Sequence, residues 1–105
     1  MKKGLASILI TNFNKEKYLS KSIQSCLDQT FKKKEILVFD DKSKDSSIKI
    51  LKNFKQIKVF LNTKIKSSSG PLNQINGIKK IFKKSKGEII FLLDSDDYFK
   101  KNKIT

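Results

Sequence analysis

The chain has 105 residues, with 24 lysines, no arginine, no histidine, 10 acids and a formal net charge of +14, a length that bounds it to one domain with a modest core. The charge does not amount to nucleic-acid recognition. Base edges and phosphates are read by guanidinium forks and stacking aromatics, whereas here arginine and tryptophan are absent and the phenylalanines sit in apolar runs, so the lysines read as solvated surface and no specific nucleic-acid partner is expected. A lone Cys26 and no histidine exclude an internal disulfide and a Cys/His zinc site.

Met-Lys-Lys-Gly followed by "LASILI" superficially resembles a signal peptide, but the apolar run is short and stops at Thr11-Asn12. Residues 5–11 therefore read as a first strand, and the protein as cytoplasmic. No apolar run approaches the length of a membrane span, which leaves peripheral association as the form any membrane contact would take. Across 16–29, Leu19, Ile23, Cys26 and Leu27 recur at spacings of three and four behind a candidate N-cap, Asn14. Cys26, on that apolar face without a histidine partner, reads as core packing. "EILVFD" (35–40) is a second strand. Ile48, Leu51 and Phe54 give one face of a helix over 46–54, with Asp45 as its N-cap. "IKVFLN" (57–62) is a third strand, and "KIKSSSG" (64–70) a mobile loop. Leu72, Ile75, Ile78 and Phe82 pattern a helix over 72–85, started by Gly70-Pro71 and stopped by Gly87. Asn76-Gly77 could signal a turn, but it falls inside that pattern, and a polar Asn76 there is explained if it faces a site. "EIIFLLD" (88–94) is the fourth strand.

The order β-α-β-α-β-α-β, with three nearly continuous apolar strands, predicts an α/β fold with a parallel sheet and helices on both faces. In such sheets ligands bind outside the carboxyl ends of the strands. Thr11, Asn12 and Asn14 end the first strand, Asp40 and Asp41 the second, and Asp94, Asp96 and Asp97 the fourth. A strand order of 3-2-1-4 brings the three groups together. Carboxylates gathered there repel one another unless a cation or hydrogen-bond donors lie among them, and oxygen-only ligands suit Mg²⁺ or Mn²⁺. Asp45 is most simply a cap, and Asp40 can equally form the turn or belong to the site. Asp96 and Asp97 could cap a helix begun by Tyr98-Phe99, but three acids in four positions exceed what a cap needs.

"SILITNFNKEKYL" (7–19), "EILVFDDKSKDSS" (35–47), "GPLNQINGI" (70–78) and "GEIIFLLDSDDYF" (87–99) resemble, in order and spacing, the N-terminal half of family 2 glycosyltransferases. The resemblance implies the Rossmann-like GT-A fold and one nucleotide-sugar-binding domain over 1–105. The implied reaction is metal-dependent transfer of a sugar from a nucleotide-diphosphate sugar, UDP-linked, to a glycan or lipid-linked acceptor in cell-surface glycan synthesis. It implies that Thr11, Asn12 and Asn14 line the base, that Asp41 hydrogen-bonds it, and that Asp94-Ser95-Asp96 is the DXD-type motif. Asp94 would approach the ribose and Asp96 would bind the metal, Mn²⁺ or Mg²⁺, with Asp97 a further ligand. The chain departs from the family's pattern at Thr11 (usually Pro), Lys42 (commonly Gly) and Ile75 (commonly Arg). The catalytic general base of inverting members would lie beyond Thr105, with the acceptor-binding half. Two rivals remain: a non-catalytic nucleotide-binding module, and a haloacid-dehalogenase-like phosphatase, whose DxD motif "FLLDSDD" also resembles but on a first strand rather than a fourth.

Overall fold

The computed structural model describes residues 2–30, 33–63, 66 and 68–95. Its elements are β1 (Lys2–Asn12), α1 (Glu16–Leu27), β2 (Lys34–Asp40), α2 (Ser47–Lys52), β3 (Lys58–Leu61), α3 (Gly70–Lys84) and β4 (Gly87–Asp94). The strands form one four-stranded sheet of order β3-β2-β1-β4, every pairing parallel, as the apolar runs predict.

Side chains alternate across the sheet and make two cores. On one face Ala6, Ile8, Ile10, Ile36, Val38 and Leu93 pack against Leu19, Ile23 and Cys26 of α1 and Leu51 of α2. On the other, Leu9, Leu37 and Phe39 pack against Ile81 of α3, with Phe60, Ile78 and Ile90 at the margin. The split follows from crossover handedness. The chain moves outward from β1 to β3 and then returns past β1 to β4, so right-handed crossovers place α3 opposite α1 and α2. Burial raises the Cys26 thiol to about 12, against the lowering effects of Ser25 and Lys34. The residue is core, as its position on the apolar face predicts.

Gly77 explains the Asn-Gly pair inside α3. A β-carbon built there would lie 2.5 Å from Cδ2 of Phe39, so glycine lets the helix descend onto that ring. Asn76 beside it is exposed and needs no site to account for it.

Gly87 opens β4 instead of stopping α3, whose C-cap is Ser85. A β-carbon at Gly87 would meet Ser7 Oγ at 2.4 Å and the Leu5 carbonyl at 2.7 Å. That closeness serves a polar staple at the amino edge of the sheet. Gly87 N donates to Ser7 Oγ (2.8 Å), Ser7 Oγ to Glu35 Oε2 (2.5 Å), Lys86 N to the same oxygen (2.6 Å) and Lys58 Nζ to Glu35 Oε1 (2.9 Å). Burial pushes the Glu35 carboxyl upward, but the Lys86 N–H, the Ser7 hydroxyl and Lys58 together outweigh it and hold the group below its ordinary value. β1 begins earlier than its apolar run because Gly4, at φ +78°, carries an irregularity between Lys2 and Ala6 in the pairing with β4.

The helix starts differ from the expected caps. Asn14 does not cap α1; it sits at φ +52° and its Oδ1 accepts from Lys44 N at 2.7 Å. The cap position is Lys15, with no side-chain cap bond. Asp45 lies one residue before the cap position of α2, Ser46. Its two oxygens accept from Ser47 N (2.9 Å) and from Glu16 N (3.0 Å), so one carboxylate serves the first turn of both helices. Those donors and the Ser47 hydroxyl overcome the upward push of burial and hold Asp45 below its ordinary range. α3 begins inside the segment read as loop, with Ser69 Oγ accepting from Leu72 N at 3.2 Å and Pro71 in its first turn.

Candidate functional site

β1, β2 and β4 end level with one another. Thr11 pairs with Phe39 and with Asp94, and Asp41 N donates to Asn12 O (2.9 Å) while Ser95 N donates to Thr11 O (3.1 Å). These last ladder bonds aim the strand ends at one edge, as the 3-2-1-4 order requires. A cavity of about 390 Å³ opens there on the α3 side, within the size range of small-molecule sites. Its walls include Thr11, Asp41 and Asp94 from the strand ends, Phe13 and Lys15 from the β1–α1 loop, Asn73 and Gln74 from α3, and Lys66.

Alternation decides which polar residues enter it. Thr11, Phe39, Asp41 and Asp94 share the face of Leu9 and Leu37, toward α3. Asn12 and Asp40 share the face of Ile10 and Val38, toward α1 and α2. Asp40, 1% exposed, accepts from Asn12 Nδ2 (2.8 Å), Ser43 Oγ (2.7 Å) and Ser43 N (3.0 Å). It is the turn-former, an internal acceptor that closes the loop after β2. Asn12 borders the cavity, yet its amide nitrogen is engaged with Asp40 and with Ser43 Oγ (3.2 Å). Its buried Oδ1 has no hydrogen-bond partner among the described residues. Asn14 lies outside the cavity wall and ties the β1–α1 loop to the β2–α2 loop, its N–H donating to Ser43 Oγ at 2.9 Å.

Asp41 is held at the cavity by two donors that sequence reasoning missed. Asn62 Nδ2 donates to Oδ1 at 2.8 Å, and Lys66 Nζ lies 3.4 Å from Oδ2. The same ammonium sits 3.2 Å from the centroid of the Phe13 ring, a cation–π contact on a half-exposed aromatic. Across the cavity, Gln74 Nε2 donates to both Thr11 Oγ1 and Asp94 Oδ2, each at 3.3 Å. Asp94 is exposed. Asn76 is not among the lining residues; Asn73 and Gln74, nearer the start of α3, occupy that place. Asp96 and Asp97 lie outside the described residues, and so does any helix begun by Tyr98-Phe99. Among the described residues no three acids, cysteines or histidines cluster as a metal would need. Asp94 and the Thr11 hydroxyl offer oxygen donors only, a set compatible with Mg²⁺ or Mn²⁺. No helix among the described residues is long and apolar enough to cross a membrane.

Lys42 stands where the resemblance leads one to expect glycine, and it adopts the conformation that glycine would, at φ +57°. The turn keeps its shape without the residue best suited to it.

Comparisons with known proteins converge on one family. The family described as Glycosyl transferase family 2 matches residues 7–105. An uncharacterized glycosyltransferase of Haemophilus influenzae is 35% identical over 109 residues, covering 99% of this chain and 41% of that protein. The UDP-Glc:alpha-D-GlcNAc-diphosphoundecaprenol beta-1,3-glucosyltransferase WfaP of Escherichia coli is 33% identical over 103 residues, covering 96% of this chain and 39% of that protein. The crystal structure of Staphylococcus aureus TarS 1-349 in complex with UDP-GlcNAc superposes with a TM-score of 0.73 at 26% identity, covering 89% of this chain and 27% of that one. The chain thus spans well under half the length of these relatives.

Proposed function

The chain belongs to glycosyl transferase family 2, and we propose on that premise that its carboxyl-edge cavity receives the nucleoside diphosphate of a UDP-sugar. In this reading residues 1–105 are the nucleotide-sugar-binding portion of a transferase that glycosylates a cell-surface polymer or a lipid-linked acceptor. One observation carries it: Thr11, Asp41 and Asp94, at the carboxyl ends of three different strands, line the same cavity. The relatives support the donor and acceptor classes. TarS was crystallised with UDP-GlcNAc, and the name of the E. coli enzyme specifies UDP-Glc and a diphosphoundecaprenol-linked acceptor.

Asp41 accepts a hydrogen bond from the base, Thr11 borders it, and the half-exposed Phe13 ring offers a stacking surface. Asp94 would take the ribose, and Asp96 with Asp97 would hold Mg²⁺ or Mn²⁺. A bound metal would supply charge neutralisation for the leaving diphosphate. Gln74 keeps the Asp94 carboxylate turned toward Thr11, so the acid is oriented before the nucleotide arrives. The general base that activates the acceptor belongs to the half of the relatives that this chain does not span, so residues 1–105 alone bind without turning over.

Calorimetry with UDP, with and without Mn²⁺, tests this. Metal-dependent binding is expected, weakened about tenfold or more in Asp94→Asn, as loss of a charged hydrogen-bond partner gives. Equal affinity with and without metal overturns the metal role. Failure of a folded chain to bind UDP at all overturns the assignment of the cavity.

A further inference from the structure

The positive charge is unevenly placed along the chain. All ten acids lie before residue 46 or after residue 87, and the 42 residues between hold 11 lysines. That stretch builds α2, β3 and α3, and β3 is an edge of the sheet. Acids that meet it are already engaged. Glu35 pairs with Lys58 at 2.9 Å, Asp41 with Asn62 and Lys66, and Asp45 with the N–H groups of Ser47 and Glu16.

On one side of β3 these lysines have apolar company. Val59 pairs with Val38, which belongs to the core under α1 and α2, so alternation puts Val59 and Leu61 on that face. They are 39% and 46% exposed there. On the same face α2 buries Ser47 and Leu51 and carries Lys49 and Lys52 in its last turn. Both of these lysines are exposed, as is Lys55 between α2 and β3.

We infer that this α2–β3 surface, with Lys49, Lys52, Lys55, Val59 and Leu61, docks on the headgroups of an anionic lipid bilayer. The contact uses both residue types. Ammonium groups on flexible stems meet separate phosphates as point charges, while their methylenes and the two apolar side chains sit at the acyl boundary. A dissolved polyanion would leave Val59 and Leu61 wet, and the arginine and tryptophan that read nucleic acid are absent. A second copy of the chain would set lysine against lysine. Contact at headgroup depth keeps water at the outer amides of β3, so the edge loses no hydrogen bonds. None of the five residues lines the nucleotide cavity, so vesicle and nucleotide binding stand or fall by different measurements.

Co-sedimentation of the 105-residue chain with vesicles of phosphatidylcholine, with and without phosphatidylglycerol, tests this. Binding is expected to the anionic vesicles alone and to weaken as salt rises. Two triple variants of equal net charge locate the surface: Lys49→Gln/Lys52→Gln/Lys55→Gln on the α2 side, and Lys79→Gln/Lys83→Gln/Lys84→Gln on α3. The first is expected to weaken vesicle binding by about a hundredfold, and the second by less than about fivefold, as loss of distant, screened charge gives. Leu61→Gln, an exposed change at constant charge, is expected to weaken it several-fold. Equal losses in the two triple variants overturn the inference, because net charge alone then explains binding. Unchanged binding of Leu61→Gln overturns it too, as does tighter binding to a single-stranded oligonucleotide than to the vesicles. So does failure to bind anionic vesicles by a chain that circular dichroism shows to be folded.

Discussion

Asp40 and Asp41 are adjacent in sequence and face opposite sides of the sheet. Asp40 accepts three hydrogen bonds beneath it, from Asn12 and Ser43, while Asp41 meets Asn62 and Lys66 at the cavity. The pair separates stability from binding. Asp40→Ala leaves buried donors unpaired and is expected to lower stability by about 3 kcal/mol in urea denaturation. Asp41→Asn is expected to change stability by no more than about 1 kcal/mol, since its ion pair with Lys66 is partly solvated, and to weaken UDP in calorimetry. Loss of binding with intact stability in both variants would contradict the division.

Lys42 occupies the left-handed region at a cost of about 1 kcal/mol for a residue with a β-carbon. Lys42→Gly removes that strain but adds freedom to the unfolded chain. A net gain of a few tenths to about 1 kcal/mol is expected, read as a higher thermal midpoint. Lys42→Val, β-branched at the same φ, should move the midpoint the other way.

The Glu35 staple makes stability depend on acid. Its carboxyl is held below the ordinary glutamate value in the folded chain, so the folded state favours the ionised form. Its contribution is complete above the unfolded value and is lost as pH falls through the folded one. Urea midpoints of the native chain and Glu35→Gln should differ near neutral pH, by about 1–2 kcal/mol for hydrogen bonds to a charged group. The difference should shrink as the pH is taken well below 4.5. A difference that persists unchanged in acid would assign the staple to packing instead.

At Gly77, helix propensity and packing oppose each other. Alanine in a helix interior gains about 1 kcal/mol over glycine, but here its methyl would lie 2.5 Å from the Phe39 ring. Gly77→Ala is therefore expected to destabilise by about 1–3 kcal/mol, as overpacking does. Because Phe39 also lines the cavity, UDP affinity should fall with it. A stabilised Gly77→Ala would show that α3 can lift off the sheet without strain.

Strand order and the gathering of Thr11, Asp41 and Asp94 at one edge were legible, because continuous apolar runs and right-handed crossovers leave few alternatives. Which acid of the 40–41 pair enters the cavity was legible only through the family resemblance, which named Asp41; the residue pattern itself left Asp40 open between turn and site. Strands buried on both faces carry no polar alternation to mark which side a residue takes. Asn76 drew attention as a polar residue within an apolar helix pattern, whereas the packing of Gly77 on Phe39 turns Asn76 outward and gives the cavity to Asn73 and Gln74. Lys66 carried no signal either. It is one lysine among 24, and its contact with Asp41 depends on where the loop before α3 returns to the sheet.

The strand order also sets a schedule for synthesis. β1 is made before the two strands that flank it, and one of its flanks waits for β4, some 80 residues later by the Ser7–Gly87 bond. At about 5–20 residues per second on the ribosome, that flank stays open for roughly 4–16 s. During that time the β4-facing flank of "ILIT" is an open apolar strand edge on a nascent chain. Pairing at such sequence separation is slow to nucleate, so an interval in which this protein is prone to aggregate falls before β4 has emerged, and a chaperone acting then would engage β1.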